Sequence, residues 1–143
     1  MHGSLGDIVR RLRLRPVGDD PDRRACQTLT PAARRSASYP SGSAAVATAY
    51  GEAFAALEPD RAEAVRRIGH EIGVSRLVCA MHYPTDVAVG EQIGRDIAAR
   101  AVATPAFQAD MAAARGELAA ARRSGLTNPG CAAERAALAI SLP

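Results

Sequence analysis

The sequence contains no tryptophan, and aromatic residues of all kinds make up 3% of its 143 positions. It also contains no lysine: all 18 basic side chains are arginine, set against 15 acidic ones, for a formal net charge of +3. So small an excess, dispersed among acids, is not the footprint of a nucleic-acid-binding surface. No apolar run approaches the roughly 20 residues that a membrane span needs. Cysteine is sparse. Cys26, Cys79 and Cys131 have no metal-ligand spacing, which argues against a zinc site. Cys79 lies in an apolar run and reads as core. Cys26 and Cys131 lie in loop-like surroundings and could pair in an oxidising compartment. No apolar stretch of signal-peptide type follows Met1. The chain is therefore expected to be cytosolic, or an exporting segment lies outside this sequence.

What is abundant is alanine. It supplies much of the 48% apolar content, so the core buries little area per residue and close-packed helices are expected. Residues 1–15 could form a short helix around Leu5, Ile8, Val9 and Leu12. Residues 16–40, punctuated by Pro16, Pro21, Pro31 and Pro40, read as loop with short helical turns. Val46, Tyr50, Phe54 and Leu57 recur at spacings of four, four and three, a single helical face. Pro59 can open the next helix, carrying Val65, Ile68 and Ile72 and running on through Leu77 and Val78. Another is expected from Thr85-Asp86 through Val87, Val89, Ile93 and Ile97. Thr104-Pro105 starts one with Phe107, Met111 and Leu118, and a last short helix falls near 131–140. Strand-like alternation is absent, so the fold class is all-α.

Three segments carry the chemistry: Arg15-Pro16, the run YPSGS at 39–43, and SRLVCAMHYPTD at 75–86. Ser41-Gly42-Ser43 falls at a helix start, where glycine permits close backbone approach and free N–H groups favour an anion. Arg15 and Arg76 offer forked donors for phosphate oxygens. His82 and Asp86 are four apart, so the carboxylate could hold one imidazole nitrogen and leave the other as a nucleophile or base. Taken singly, each has an ordinary structural explanation: a surface hydrogen bond, a loop-to-helix junction, a solvated arginine.

In this order the segments resemble the three-part signature of the type 2 phosphatidic acid phosphatase superfamily, KxxxxxxRP, PSGH and SRxxxxxHxxxD. The third part matches in full at Ser75, Arg76, His82 and Asp86. The flanks SYPSG, EPDRAEAVRRIGHEIGVSR and TPAFQADMAAARGEL are similar to the bacterial class A non-specific acid phosphatases. The likeness covers roughly residues 8–122, leaving 123–143 as a C-terminal extension of one domain spanning 1–143. It implies a compact helical bundle of the acid phosphatase and vanadium haloperoxidase type, with metal-independent hydrolysis of small phosphate monoesters through a phosphohistidine. It implies no cofactor and a periplasmic location. On the matching positions, His82 is the nucleophile, Asp86 orients it, and Arg15, Arg76, Ser41 and the Gly42 backbone bind phosphoryl oxygens. Ser75 is a supporting hydrogen-bonding residue.

The sequence departs from the family pattern in three respects. Ile8 stands where the family has lysine. Ser43 stands where it has the general-acid histidine, and a hydroxyl cannot do that work near neutral pH. The chain is also short before the first motif, so early helices are expected to be missing and exposed apolar faces to favour a homodimer. The alternative reading is a catalytically inactive phosphate-binding remnant or a helical interaction protein.

Overall fold

The computed structural model describes residues 13–139. The expected helix over 1–15, Ile8 included, lies largely outside that range. Among the described residues there are seven α-helices and no strand. They are α1 (Pro16–Asp19), α2 (Pro31–Arg34), α3 (Gly42–Leu57), α4 (Ala62–Val78), α5 (Pro84–Val102), α6 (Pro105–Arg123) and α7 (Gly130–Leu138), with a 3-10 turn at Pro59–Arg61 before α4. The all-α expectation holds. Helix starts follow the chemistry of the chain: Thr30, Ser41 and Thr104 each accept a backbone N–H of the first turn, and Pro31, Pro84 and Pro105 occupy first-turn positions.

Helix α3 is central, packed between α4 and α5. Its buried side is Ala44, Ala47, Gly51 and Ala55. Backbone meets backbone there. A Cβ built on Gly69 would stand 2.9 Å from the Ala47 carbonyl oxygen, and one on Gly90 would stand 2.4 Å from that of Ser41. The apolar stripe read from the sequence points the other way. Val46, Tyr50 and Phe54 are outward, with Tyr50 62% exposed and its ring stacked on Phe54 at 6.4 Å between centroids. The periodicity located the helix, but the face that packs is the one that lets helix axes approach most closely. The outward side chains line a cavity of about 470 Å³ with Ile68 and Ile72 of α4, and Ser43 lines it too.

The cysteine pairing also differs from expectation. Cys26 is bonded to Cys79, with Cα atoms 4.9 Å apart, and Cys131 is free. Cys79 is the residue on which α4 ends, so it leaves the helix rather than entering the core. Next to it, the Ala80 carbonyl accepts from Val17 N–H at 3.1 Å, bringing the 16–30 region alongside. Cys131 lies in α7.

Candidate active site

Arg15 precedes a proline and is therefore extended, at φ −65° and ψ 153°. The extended stretch pairs with the segment after α2. Leu14 and Ala37 form an isolated antiparallel bridge, and Ser38 N–H donates to the Arg13 carbonyl at 2.9 Å. Alternate side chains of an extended chain share a face. Arg13 and Arg15 thus reach the same region.

His82 is delivered by a turn. Ala80 adopts φ 55°, the left-handed region usually taken by glycine. That geometry lets Ala80 N–H reach the Leu77 carbonyl at 3.0 Å and Met81 N–H reach Arg76 at 2.9 Å, closing α4 as a Schellman motif. The chain then reverses, and α5 opens two residues after His82. Asp86 falls in the first turn of α5, where its Oδ2 accepts from Tyr83 N–H at 2.9 Å. Ser41 caps α3, and its own N–H donates to the Asp86 carbonyl at 3.0 Å.

The histidine and the carboxylate are both buried, His82 at 5% exposure and Asp86 at 0%. They do not hydrogen-bond, contrary to the i,i+4 expectation: His82 Nδ1 is 3.9 Å from Asp86 Oδ2. The spacing misleads because His82 lies outside the helix that Asp86 begins. Each carboxylate oxygen is already engaged. Oδ1 is paired with Arg13, and Oδ2 accepts from the Ser38 hydroxyl at 2.5 Å as well as from Tyr83. Nδ1 instead meets the Ser38 carbonyl at 2.7 Å. The other ring nitrogen, Nε2, is 3.0 Å from Arg15 Nη1. A carbonyl can only accept and a guanidinium can only donate. The two contacts together fix neutral His82 with its proton on Nδ1 and a lone pair on Nε2.

Arg15 is held by three partners: Nη1 donates to the Met81 carbonyl at 3.0 Å as well as to His82, and Nε donates to Ser36 Oγ at 2.7 Å. Burial draws its pKa down; Asp86 opposes that, while the charge of Arg76 reinforces it. Burial likewise holds His82 below the usual imidazole value. The Ser38 carbonyl and Asp86 push it up, and Arg15 and Arg76 push it down. Burial raises the Asp86 carboxyl, but the Ser38 hydroxyl, the Tyr83 N–H and Arg13 outweigh it, and the net pKa is lowered.

Arg15, Arg76, Ser41, His82 and Asp86 therefore converge. Gly42 is the exposed first residue of α3, with open space where a Cβ would stand. Ser75 accepts from Arg76 Nε at 3.2 Å and itself donates to the Ile72 carbonyl. Ser43 is exposed and offers no ring. His70 is elsewhere, paired with Glu91 across α4 and α5 at 2.7 Å. Two participants escape sequence reasoning, Arg13 and Ser38. The available signals were the two-residue spacing of Arg13 from Arg15 and the place of Ser38 at the head of the SYPSG run. Among the described residues no group of three or more His, Cys, Asp or Glu is arranged to hold a metal ion, and no helix is long and apolar enough to cross a membrane.

Comparison with known proteins points the same way. Over 85 residues, 59% of this chain, the sequence is 39% identical to non-specific acid phosphatases of Salmonella typhimurium and Salmonella typhi, covering 34% of each. Over 90 residues, 63% of this chain, it is 36% identical to an acid phosphatase of Zymomonas mobilis, again covering 34%. These relatives are phosphatases. The chain spans about a third of the length of the curated relatives it matches. No family model matches it.

Proposed function

We propose that this chain hydrolyses small phosphate monoesters with His82 as the nucleophile. The observation that carries the reading is the Nε2 lone pair 3.0 Å from a guanidinium, with the opposite ring nitrogen committed to a carbonyl. The Nε2 pair attacks phosphorus. An N–P bond forms as the ester P–O bond breaks, and its electron pair leaves on the alcohol oxygen. Water then attacks phosphorus, the N–P bond breaks, and orthophosphate and neutral imidazole are returned. Arg15 gives up its contact with Nε2 to donate to a phosphoryl oxygen, which frees the lone pair, and Arg76 adds positive charge. The free N–H groups at the start of α3, at Gly42 and Ser43, face developing negative charge. Asp86, 3.9 Å from the ring, stabilises the cationic phosphohistidine electrostatically. Guanidinium groups take the charge-neutralising part, so the reaction in this reading needs neither metal nor cofactor.

Ser43 cannot protonate the leaving oxygen, so water must. Turnover of alkyl esters falls furthest, on the order of a hundredfold to ten-thousandfold. That residue also supports the second reading, an inactive phosphate-binding protein on the same scaffold. A periplasmic location is supported by the Cys26–Cys79 disulfide, which persists in oxidising compartments. A homodimer is supported by the outward apolar face of α3, and sedimentation equilibrium tests it.

The deciding experiment uses para-nitrophenyl phosphate at mildly acid pH with a chelator present. Turnover that His82→Ala abolishes is the expected result. No turnover from a folded chain that still binds vanadate favours the inactive form. Neither turnover nor vanadate binding defeats both phosphate readings.

A further inference from the structure

Ser38 belongs to none of the three motif segments, yet it touches both members of the His82–Asp86 pair. It is fully buried. Its carbonyl receives His82 Nδ1 at 2.7 Å, and its hydroxyl donates to Asp86 Oδ2 at 2.5 Å. Its N–H is tied to the Arg13 carbonyl at 2.9 Å, and the Arg13 side chain pairs with the other oxygen of Asp86. One residue thus spans the 3.9 Å gap across which the imidazole and the carboxylate do not bond.

We propose that Ser38 is a positioning residue, whose carbonyl selects the His82 tautomer and whose hydroxyl holds Asp86 off the ring. Held this way, the Asp86 charge is spent partly on the hydroxyl, on Tyr83 N–H and on Arg13. The imidazole is then a weaker base than a free one. The groups facing it are Arg15 and Arg76, which disfavour its protonation, and Asp86, which favours it. Releasing Asp86 from Ser38 shifts that balance toward the imidazolium. The catalytic consequence rests on His82 being the nucleophile; the tautomer and the titration do not.

The test is long-range proton–nitrogen NMR of the three histidine rings across a pH series, on the wild-type chain and Ser38→Ala. The wild type should show His82 protonated on Nδ1. Ser38→Ala should raise the His82 titration by about one pH unit, a tenfold change in proton affinity. The acid limb of kcat/KM should move up with it, and Ser38→Thr, which keeps the hydroxyl, should return it. An Nε2-protonated ring in the wild type overturns the proposal, as does a titration unmoved in Ser38→Ala. Should that variant not fold, the wild-type tautomer still decides. A confirmed tautomer and shift without any phosphatase turnover would defeat the catalytic reading while leaving the Ser38 assignment standing.

Discussion

Gly90→Ala tests the link between packing and site. The new Cβ would stand 2.4 Å from the Ser41 carbonyl oxygen and 3.1 Å from the Ala44 Cβ. Backbone oxygen cannot rotate away, so α5 must retreat from the start of α3 by roughly 1 Å to restore ordinary contact. One turn earlier on α5, the Asp86 carbonyl accepts from Ser41 N–H at 3.0 Å, so this retreat pulls Ser41 away from the His82 cluster. Overpacking costs about 1–3 kcal/mol, offset by up to about 1 kcal/mol from the better helix propensity of alanine. A displacement near 1 Å in a positioning element costs on the order of a hundredfold in rate. The control is Gly116→Ala in α6, where nothing lies within 4 Å of the added Cβ. It should gain about 1 kcal/mol from propensity and keep full activity. Urea unfolding followed by circular dichroism, alongside kcat/KM for para-nitrophenyl phosphate, reads both quantities. Gly90→Ala behaving like Gly116→Ala would refute the claim that α3 and α5 meet backbone to backbone at the site.

The Cys26–Cys79 bond closes a loop with a sequence separation of 53, so reducing it should lower the unfolding free energy by about 4 kcal/mol; an unchanged urea midpoint contradicts this. His82 and Asp86 both have lowered folded-state pKa values, so each contributes stability that is present above its unfolded value and lost as pH falls through the folded one. Stability should therefore decline below about pH 6.5 for His82 and again below about pH 3.9 for Asp86, and His82→Gln should remove the first decline. Ser43→His should raise turnover of alkyl phosphates more than that of nitrophenyl phosphate; equal gains for both count against the missing proton donor.

The helices and their starts were legible in the sequence because proline, threonine and serine act locally on the backbone. The packing face of α3 was not. Val46, Tyr50 and Phe54 formed a clear stripe, but Ala44, Ala47 and Gly51 are small enough to let α4 and α5 come close, and hydrophobicity does not encode that. The site residues were legible as a set, since Arg15, Arg76, Ser41, His82 and Asp86 do gather. Their bonding was not. A spacing of four implies a shared helical face only inside a helix, and α5 begins after His82. Ser38 and Arg13 act through an extended pairing between residues 13–15 and 36–38, a long-range contact that local pattern does not show. The pairing of Cys79 joins residues with a sequence separation of 53, a contact that local pattern does not show.

The central claim is that phosphate passes through His82 Nε2. Rapid quenching of the chain during turnover of a radiolabelled phosphate monoester, followed by digestion and mass spectrometry, tests it most directly. An acid-labile, base-stable phosphoryl group on His82 is the predicted result. Turnover that leaves the label on Ser41 or Ser43, or on no residue at all, would contradict it.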